Sequence, residues 1–247
     1  MLRRWVESGI DAARFTVIDP GTPQLPEGVR HVAEPPEGLP QAMMLGVKPQ
    51  LIDKVAPLYA GRGQVPILLS ILAGVEEAAL AKRFDARTVV RVMPNLPVAL
   101  GKGVVALYTS GGEAADRDAT GALMDPLGQV EWIESEDLFH VVTALAGSGP
   151  GYVYRFIDAL AAGAAELGLP HDQALRFATA MVEGAAALAG DADATPGELA
   201  DRVASPGGTT RAGMDVLDDG DALKRLMRAT LEAAATRSED LAGAARG

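Results

Sequence analysis

The chain has 247 residues, 48% hydrophobic and 22% charged, which is typical of an ordinary soluble protein with one large or two medium domains. Its net charge of −11 disfavours nucleic acid and anionic membrane surfaces as partners, because both are negative themselves. The absence of cysteine excludes disulfides and cysteine-based metal sites, and fits a reducing cytoplasm. The longest apolar stretch, residues 65–75, is too short for a membrane span, so no membrane anchor or signal peptide is expected.

The first half of the chain alternates short apolar runs with helical patterns. Residues 1–6 predict a helix, and residues 51–59, 75–83 and 114–127 also have helical spacing. Continuous apolar runs separated by helices favour an α/β fold with a doubly wound, Rossmann-like sheet that is covered on both faces and mostly parallel at its start. The predicted strands are residues 15–18, 43–47, 67–71, 88–93, 104–107 and 130–133.

A dinucleotide-binding domain of this type normally opens with a strand and a G-x-G-x-x-G turn, whose glycines let the backbone approach a pyrophosphate. No such turn is present, and the helix at residues 1–6 leads directly to the strand at 15–18. We therefore expect that an opening strand and glycine turn precede Met1 in the natural protein. Without them, the strands at 15–18 and 43–47 would lack a shared neighbour; a native protein with the mass of the printed sequence would contradict this expectation.

After about Glu134 the strand signals stop and the pattern becomes helical. Pro150 can begin a helix, and the segment from Thr195 to Glu198 has the sequence of a capping box with proline at the first helical position. Small residues at 159–165 and 184–189 allow helices to approach closely, and so few aromatic residues suggest a core completed by a second subunit. We predict a dinucleotide-binding domain at 1–134 and a helical dimerisation and substrate-binding domain at 135–247.

A glycine-rich turn with three hydroxyls occupies residues 205–210, and a helical pattern follows it directly. Free backbone N–H groups and hydroxyl donors at the start of a helix form a site suited to a small carboxylate. The alternative for such a turn in isolation is that Ser205 or Thr210 merely caps the helix.

Four ordered blocks together are more specific than this turn alone. They resemble the signature stretches of pyrroline-5-carboxylate reductase, the last enzyme of proline biosynthesis, and the likeness runs from about Phe15 to Leu241. This resemblance implies reduction of 1-pyrroline-5-carboxylate to L-proline by hydride transfer from NADP(H), with NAD possible, in a homo-oligomer built from dimers through the helical domain. The blocks are Val47-Lys48-Pro49-Gln50, Arg91-Val92-Met93-Pro94-Asn95-Leu96-Pro97, Ala146-Gly147-Ser148-Gly149-Pro150-Gly151-Tyr152 and Ser205-Pro206-Gly207-Gly208-Thr209-Thr210.

The resemblance also implies roles for particular residues. The substrate carboxylate would be bound by Ser205, Gly207, Gly208, Thr209 and Thr210. Thr210 would lie nearest the imine nitrogen, and Glu136 matches a family position that contacts this nitrogen, so that its carboxylate could pair with the iminium cation. These two are the predicted catalytic residues, and no metal is required.

The predicted cofactor residues lie at the ends of strands. Lys48 follows an apolar run at the carboxyl end of a parallel strand, where cofactor crevices form. Asp19 ends the strand at 15–18, where an acidic side chain can bind the ribose hydroxyls of NAD and repel the extra phosphate of NADP, although the family often uses NADPH. The resemblance implies that the turns at 47–49 and 72–74 line the cofactor site, so that the full set is Asp19, Val47, Lys48, Pro49, Ala73, Gly74 and Asn95.

Several alternatives remain open at this point. Asp19 could simply form an Asp-Pro-Gly turn, Glu136 could favour a helix dipole, and Lys48 could be a solvated surface charge. A β-hydroxyacid dehydrogenase would have the same layout, but it needs a lysine and an asparagine on the first long helix, where this chain has neither. A third possibility is a dimer that binds proline without catalysis.

Overall fold

The structure, a computed structural model, describes residues 1–246, with side chains described through Gly243. Contacts between residues divide the chain into two compact units. The first comprises Met1–Ser148 and the chain from Glu232 onward, and the second comprises Gly149–Leu231. Strands and helices are numbered β1–β7 and α1–α10 in chain order.

The first unit contains the strands of the described chain and five helices ahead of residue 149. Its helices are α1 (Leu2–Glu7), α2 (Ile52–Val55), α3 (Glu77–Ala81), α4 (Ala114–Met124) and α5 (Phe139–Val142). Six strands lie where the sequence predicted them, whereas the three-residue β2 was not foreseen. The strands are β1 (Thr16–Ile18), β2 (Arg30–Val32), β3 (Ala42–Leu45), β4 (Val65–Ser70), β5 (Ala86–Pro94), β6 (Gly103–Tyr108) and β7 (Gly128–Trp132).

These strands form two sheets. β1 and β2 make a parallel pair, and the second sheet has the order β3-β4-β5-β6-β7. All neighbours in the larger sheet are parallel except β5 and β6, so the predicted sheet that is mostly parallel at its start is confirmed. Within the described chain, β1 and β3 have no neighbouring strand in common, as the sequence led us to expect.

Helices cover both faces of the larger sheet because successive side chains of a strand point to opposite sides. On β4, Leu68 packs into a cluster with Leu80 of α3, while Leu69 packs into a second cluster with Trp5 of α1 and Met124 of α4. Leu68 and Leu69 are both essentially inaccessible to solvent. This two-sided burial explains the continuous apolar strands and confirms the predicted α/β fold.

The helix predicted at residues 1–6 is confirmed as α1, whereas the other three predicted helices of the first unit are shorter than their sequence patterns. Residues 51–59 were expected to form one helix, but α2 covers only Ile52–Val55 and lies between two 3₁₀ turns. Pro57 explains the break, since proline has no N–H to donate and its ring clashes with the preceding turn. In the same way, α4 ends at Met124 and passes into a 3₁₀ turn that contains Pro126.

The second unit is helical, as predicted, and no strand occurs between residues 135 and 246. It contains α6 (Gly149–Glu166), α7 (His171–Asp191), α8 (Pro196–Val203), α9 (Thr209–Asp218) and the start of α10 (Ala222–Arg246), whose remainder belongs to the first unit. The predicted capping box is present: the Thr195 hydroxyl accepts from the N–H of Glu198, and the Glu198 carboxylate accepts from the N–H of Thr195.

Helices α6 and α7 pack through small side chains and leave larger apolar groups outside. Ala161, Ala174 and Ala178 form the buried contact. Phe177 and Met181 of α7 are 58% and 51% exposed, and they line an apolar groove together with Leu160, Ala164 and Leu169. An exposed apolar surface of this kind typically marks an interaction site.

The contact-based division falls after Ser148, whereas the sequence suggested a domain boundary between residues 134 and 135. The intervening segment lies with the first unit because Phe139 packs against Met93 and Ala106 of the sheet. A functional boundary at residue 135 stays a prediction. In residues 1–246, no helix combines the length and the apolar character that crossing a membrane would require.

Candidate functional site

Two of the predicted cofactor turns lie side by side at the carboxyl edge of the larger sheet. Leu45 at the end of β3 is the register partner of Ser70 at the end of β4, so the turns that follow these strands are neighbours. Lys48 of the first turn is exposed and has an extended backbone, and the ring of Pro49 begins a 3₁₀ turn directly after it. An exposed ammonium group at this edge is suited to a phosphate.

The turn after β4 presents a small exposed residue beside a buried one. Ala73 is exposed, while Gly74 is buried with φ +74°. A Cβ at Gly74 would lie 3.0 Å from backbone atoms of Leu241 and Ala242 in α10. A residue with a side chain is disfavoured at position 74 for two reasons, the left-handed backbone and the helix packed against it.

Asn95 follows β5 at the same edge, and its side chain braces the local structure. Its Nδ2 group donates to the carbonyl oxygen of Ala146 at 3.0 Å, and its Oδ1 atom accepts from the N–H of Val104 at 2.9 Å. These bonds tie the end of β5 to the segment after α5. A direct contact between Asn95 and a cofactor stays a prediction.

Asp19 forms the Asp-Pro-Gly turn that the sequence analysis left open as an alternative to ribose binding. Its Oδ1 atom accepts a hydrogen bond from the N–H of Gly21 at 2.7 Å, as in an Asx turn. It follows β1 and so belongs to the two-stranded sheet rather than to the edge that carries Lys48 and Gly74. Its role toward a ribose also stays a prediction.

Glu136 belongs to a polar network that the sequence did not reveal. Its Oε1 atom accepts from the Arg91 guanidinium at 2.8 Å and from the N–H of Glu77 at 2.8 Å. Arg91 is only 3% exposed, and its guanidinium stacks on the Phe139 ring with 4.0 Å to the centroid. Within the described chain, Oε2 of Glu136 accepts no hydrogen bond.

Tyr108 lies in the same region, since it is the register partner of Arg91 on β6. Burial, reinforced by the negative charges of Glu77 and Glu136, raises the pKa of the Tyr108 phenol above its ordinary value. The phenol is thus a neutral group at physiological pH. The one signal in the sequence for this cluster is Arg91 itself, a charged residue inside an otherwise apolar strand.

The turn at residues 205–210 belongs to the second unit and has a well-defined geometry. The N–H of Gly208 donates to the carbonyl oxygen of Ser205 at 2.9 Å, and Gly207 has φ +71°. A Cβ at Gly208 would lie 2.6 Å from the Ser205 hydroxyl oxygen. Each glycine therefore has a separate reason for its place, a left-handed backbone at Gly207 and a close approach at Gly208.

The start of α9 leaves donors available. Gly208 is the N-cap residue, and no side chain caps the helix, so the structure does not bear out the interpretation of Ser205 or Thr210 as a helix cap. In the part of the chain that the structure describes, the hydroxyls of Ser205, Thr209 and Thr210 make no hydrogen bond, and all three residues are exposed. Uncapped N–H groups at the positive end of a ten-residue helix, together with free hydroxyls, favour an anion.

Arg211, which directly follows this turn, is paired with two carboxylates. Arg211, the third residue of α9, contacts Asp201 at 3.1 Å and Asp215 at 3.8 Å. Backbone and hydroxyl donors at the turn could thus hold an anion without the help of Arg211. Such a site suits a single carboxylate better than a multiply charged phosphate.

Comparison with known proteins gives a consistent result. The family model described as pyrroline-5-carboxylate reductase dimerisation matches residues 136–241. A pyrroline-5-carboxylate reductase of Synechocystis is 37% identical over 202 residues, which cover 81% of this chain and 75% of that protein. The chain belongs to the pyrroline-5-carboxylate reductase family.

Solved structures of this family have the same fold. The pyrroline-5-carboxylate reductase of Coxiella burnetii has a TM-score of 0.86 and 26% identity, with coverage of 97% of this chain and 93% of that one. The pyrroline carboxylate reductase of Plasmodium falciparum, solved with NADP bound, has a TM-score of 0.82 and 21% identity, with coverage of 98% and 92%. The predicted family and the fold of a Rossmann-like domain followed by helices are thereby confirmed, and the β-hydroxyacid dehydrogenase alternative is set aside.

Proposed function

We propose that this protein reduces 1-pyrroline-5-carboxylate to L-proline with a hydride from NADPH, as the final step of proline biosynthesis. The observation that carries the proposal is the uncapped start of α9, where three free hydroxyls and the first N–H groups of the helix form an anion site in a chain of this family. The substrate carries one carboxylate, which matches the backbone and hydroxyl donors of this turn.

The substrate carboxylate is bound by the turn from Ser205 to Thr210. The N–H groups of Thr209 and Thr210 point along the axis of α9, and the missing Cβ of Gly208 leaves the Ser205 hydroxyl room beside them. In this proposal Thr210 is also the hydrogen-bond partner of the ring nitrogen. Its hydroxyl stabilises the charge that changes at nitrogen when the C=N bond is reduced.

Glu136 is the proposed charge partner of the iminium nitrogen. Its Oε1 atom is occupied by Arg91 and Glu77, whereas Oε2 accepts no hydrogen bond from the described residues. A carboxylate held by one oxygen has a fixed orientation and still offers the other oxygen to a cation. The buried Arg91 guanidinium, 2.8 Å from Oε1, helps to hold the carboxylate in this orientation.

The carboxyl edge of the larger sheet supplies part of a dinucleotide site, without the glycine turn that normally approaches the pyrophosphate. Exposed Lys48 can neutralise a phosphate, and the exposed methyl group of Ala73 leaves space for a flat ring. We propose Val47, Lys48, Pro49, Ala73 and Gly74 as the walls of this site, with Asn95 bracing one side and Asp19 near the ribose. When bound, NADPH supplies the hydride; NADH is a possible alternative donor because Asp19 is acidic.

The proposed assembly is a homodimer through the helical unit, or a larger oligomer built from such dimers. The dimerisation model of the family covers α6–α9, and the groove between α6 and α7 exposes Phe177 and Met181. A second copy of the chain would cover these apolar groups. We place the enzyme in the cytoplasm, where a cysteine-free, acidic chain requires no oxidising compartment.

The substitution Thr210→Ala tests the proposal. Loss of one hydrogen-bond partner of the reacting nitrogen should lower kcat by about 10²-fold, while the KM for NADPH changes little. Thr179→Ala is the matched control, because Thr179 is an exposed helical threonine whose hydroxyl bonds the carbonyl oxygen of Leu175 in its own helix. Equal losses of turnover and of cofactor binding in Thr210→Ala would contradict the assignment.

A further inference from the structure

The last part of α10 is attached to the first unit at two places. Its backbone at Leu241 and Ala242 lies against Gly74, and Ala242 is completely buried. Four residues earlier, the Ser238 hydroxyl lies 2.9 Å from Nδ1 of His140 in α5. Ser238 and Ala242 are on the same face of the helix, because residues four positions apart in a helix lie above one another.

The contact at Gly74 differs from that at an ordinary turn glycine. Gly61 has nearly the same backbone, with φ +73° against +74°, but a Cβ at Gly61 would meet no atom within 4 Å. At Gly74 a Cβ would lie 3.0 Å from three backbone atoms of α10, which no rotation of a side chain can relieve. A methyl group at Gly74 would therefore displace either the turn or the helix.

The contact at His140 links α10 to the network around Glu136. His140 follows Phe139. The Arg91 guanidinium stacks on the Phe139 ring and pairs with Glu136. One face of α10 thus touches both the turn at residues 72–74 and the helix that follows Glu136. The turn contains two proposed cofactor residues, and the helix follows the proposed catalytic residue Glu136.

We propose that the face of α10 formed by Ser238 and Ala242 is a positioning element for the nicotinamide dinucleotide: it holds the Ala73-Gly74 turn in the position that cofactor binding requires. The inference rests on the proposed function, which gives this turn its role. Neither Ser238 nor Ala242 contacts the cofactor itself in this proposal. They act on the cofactor indirectly, through the position of the Ala73-Gly74 turn.

The experiment compares Gly74→Ala with Gly61→Ala. Both substitutions place a Cβ at a left-handed position; only Gly74→Ala introduces a contact with α10, and it also alters a proposed cofactor residue, which the Ser238 variants leave unchanged. We measure the Kd of NADPH by fluorescence titration and the rise in melting temperature that L-proline causes. The expected result is an affinity for NADPH about 10-fold weaker in Gly74→Ala than in Gly61→Ala, with an unchanged response to L-proline.

A second pair of variants keeps the test decisive if Gly74→Ala does not fold. Ser238→Ala removes the hydroxyl that bonds His140, and Ser238→Thr retains it. We expect weaker NADPH binding in Ser238→Ala and near wild-type binding in Ser238→Thr, because the effect depends on the hydroxyl. Equal NADPH affinities across all four variants would overturn the inference, whereas failure of the unmutated protein to bind NADPH would overturn the proposed function instead.

Discussion

The Arg91–Glu136 pair offers a sharp test of how the site is held together. The Nη1 and Oε1 atoms lie 2.8 Å apart, and the two side chains are 3% and 26% exposed. Glu136→Ala would leave the guanidinium of Arg91 buried against the Phe139 ring, without the carboxylate that contacts it. Arg91→Met would leave Glu136 without its cation but still bonded to the N–H of Glu77.

The expected loss follows from the cost of an uncompensated buried charge. Removing one partner of a buried ion pair destabilises a protein by about 3–5 kcal/mol. We take the lower end because Glu136 is partly exposed, so that water can enter the space it vacates, and because the Phe139 ring retains some attraction. A loss of about 3 kcal/mol in a chain of this length lowers Tm by about 6–12 °C.

The double variant distinguishes a mutual interaction from two separate losses. With both charges removed, no charge remains buried, so the double variant should be more stable than the sum of the single losses by about 2 kcal/mol. The assay is thermal unfolding of the four proteins followed by circular dichroism. Asp53→Ala is the control, since Asp53 forms an equally short but exposed pair with Arg83, and its Tm should stay close to that of the unmutated protein. Additive losses in the double variant would refute the reasoning.

Two further predictions concern a buried carboxylate and the substrate turn. Hydrogen bonds from Arg87 lower the pKa of Asp116 despite its burial, so the stability that this carboxylate contributes is present above the unfolded pKa of about 3.9 and is lost as the pH falls through the folded pKa. Chemical denaturation should therefore show the largest loss of unfolding free energy in Asp116→Asn at neutral pH and a smaller loss below about pH 4. A loss that does not depend on pH would contradict this prediction. Gly208→Ala would crowd the Ser205 hydroxyl and should raise the KM for 1-pyrroline-5-carboxylate by about 10-fold. Gly213→Ala in the same helix meets open space and should leave that KM unchanged; equal KM values in the two variants would contradict the prediction.

The sequence was sufficient for those parts of the fold that depend on local pattern. The apolar runs of β4 and β5 predicted strands buried on both faces, and the Thr195 capping box predicted the start of α8. Prediction from the sequence failed where a single residue or a distant contact determines the local structure. β2 has only three residues, two of them polar, and Pro57 breaks a segment whose spacing is otherwise helical.

The candidate site divides in the same way. The hydroxyls and glycines of residues 205–210 adjoin one another in the chain, so the turn could be predicted from its composition, although α9 begins at Thr209, two residues before the predicted helix. The network around Glu136 joins residues that are far apart in sequence, so only the unusual position of Arg91 pointed to it. No local pattern indicates that α10 packs against Gly74, since a turn glycine looks the same with or without a helix beside it.

The most direct test of the proposed function is turnover by the unmutated protein. NADPH oxidation is followed by absorbance after addition of 1-pyrroline-5-carboxylate, and the product is identified by chromatography. We predict that NADPH is consumed and that L-proline forms in equal amount. If no L-proline forms although L-proline raises the melting temperature, the protein binds the amino acid without catalysis, and the proposed function is wrong.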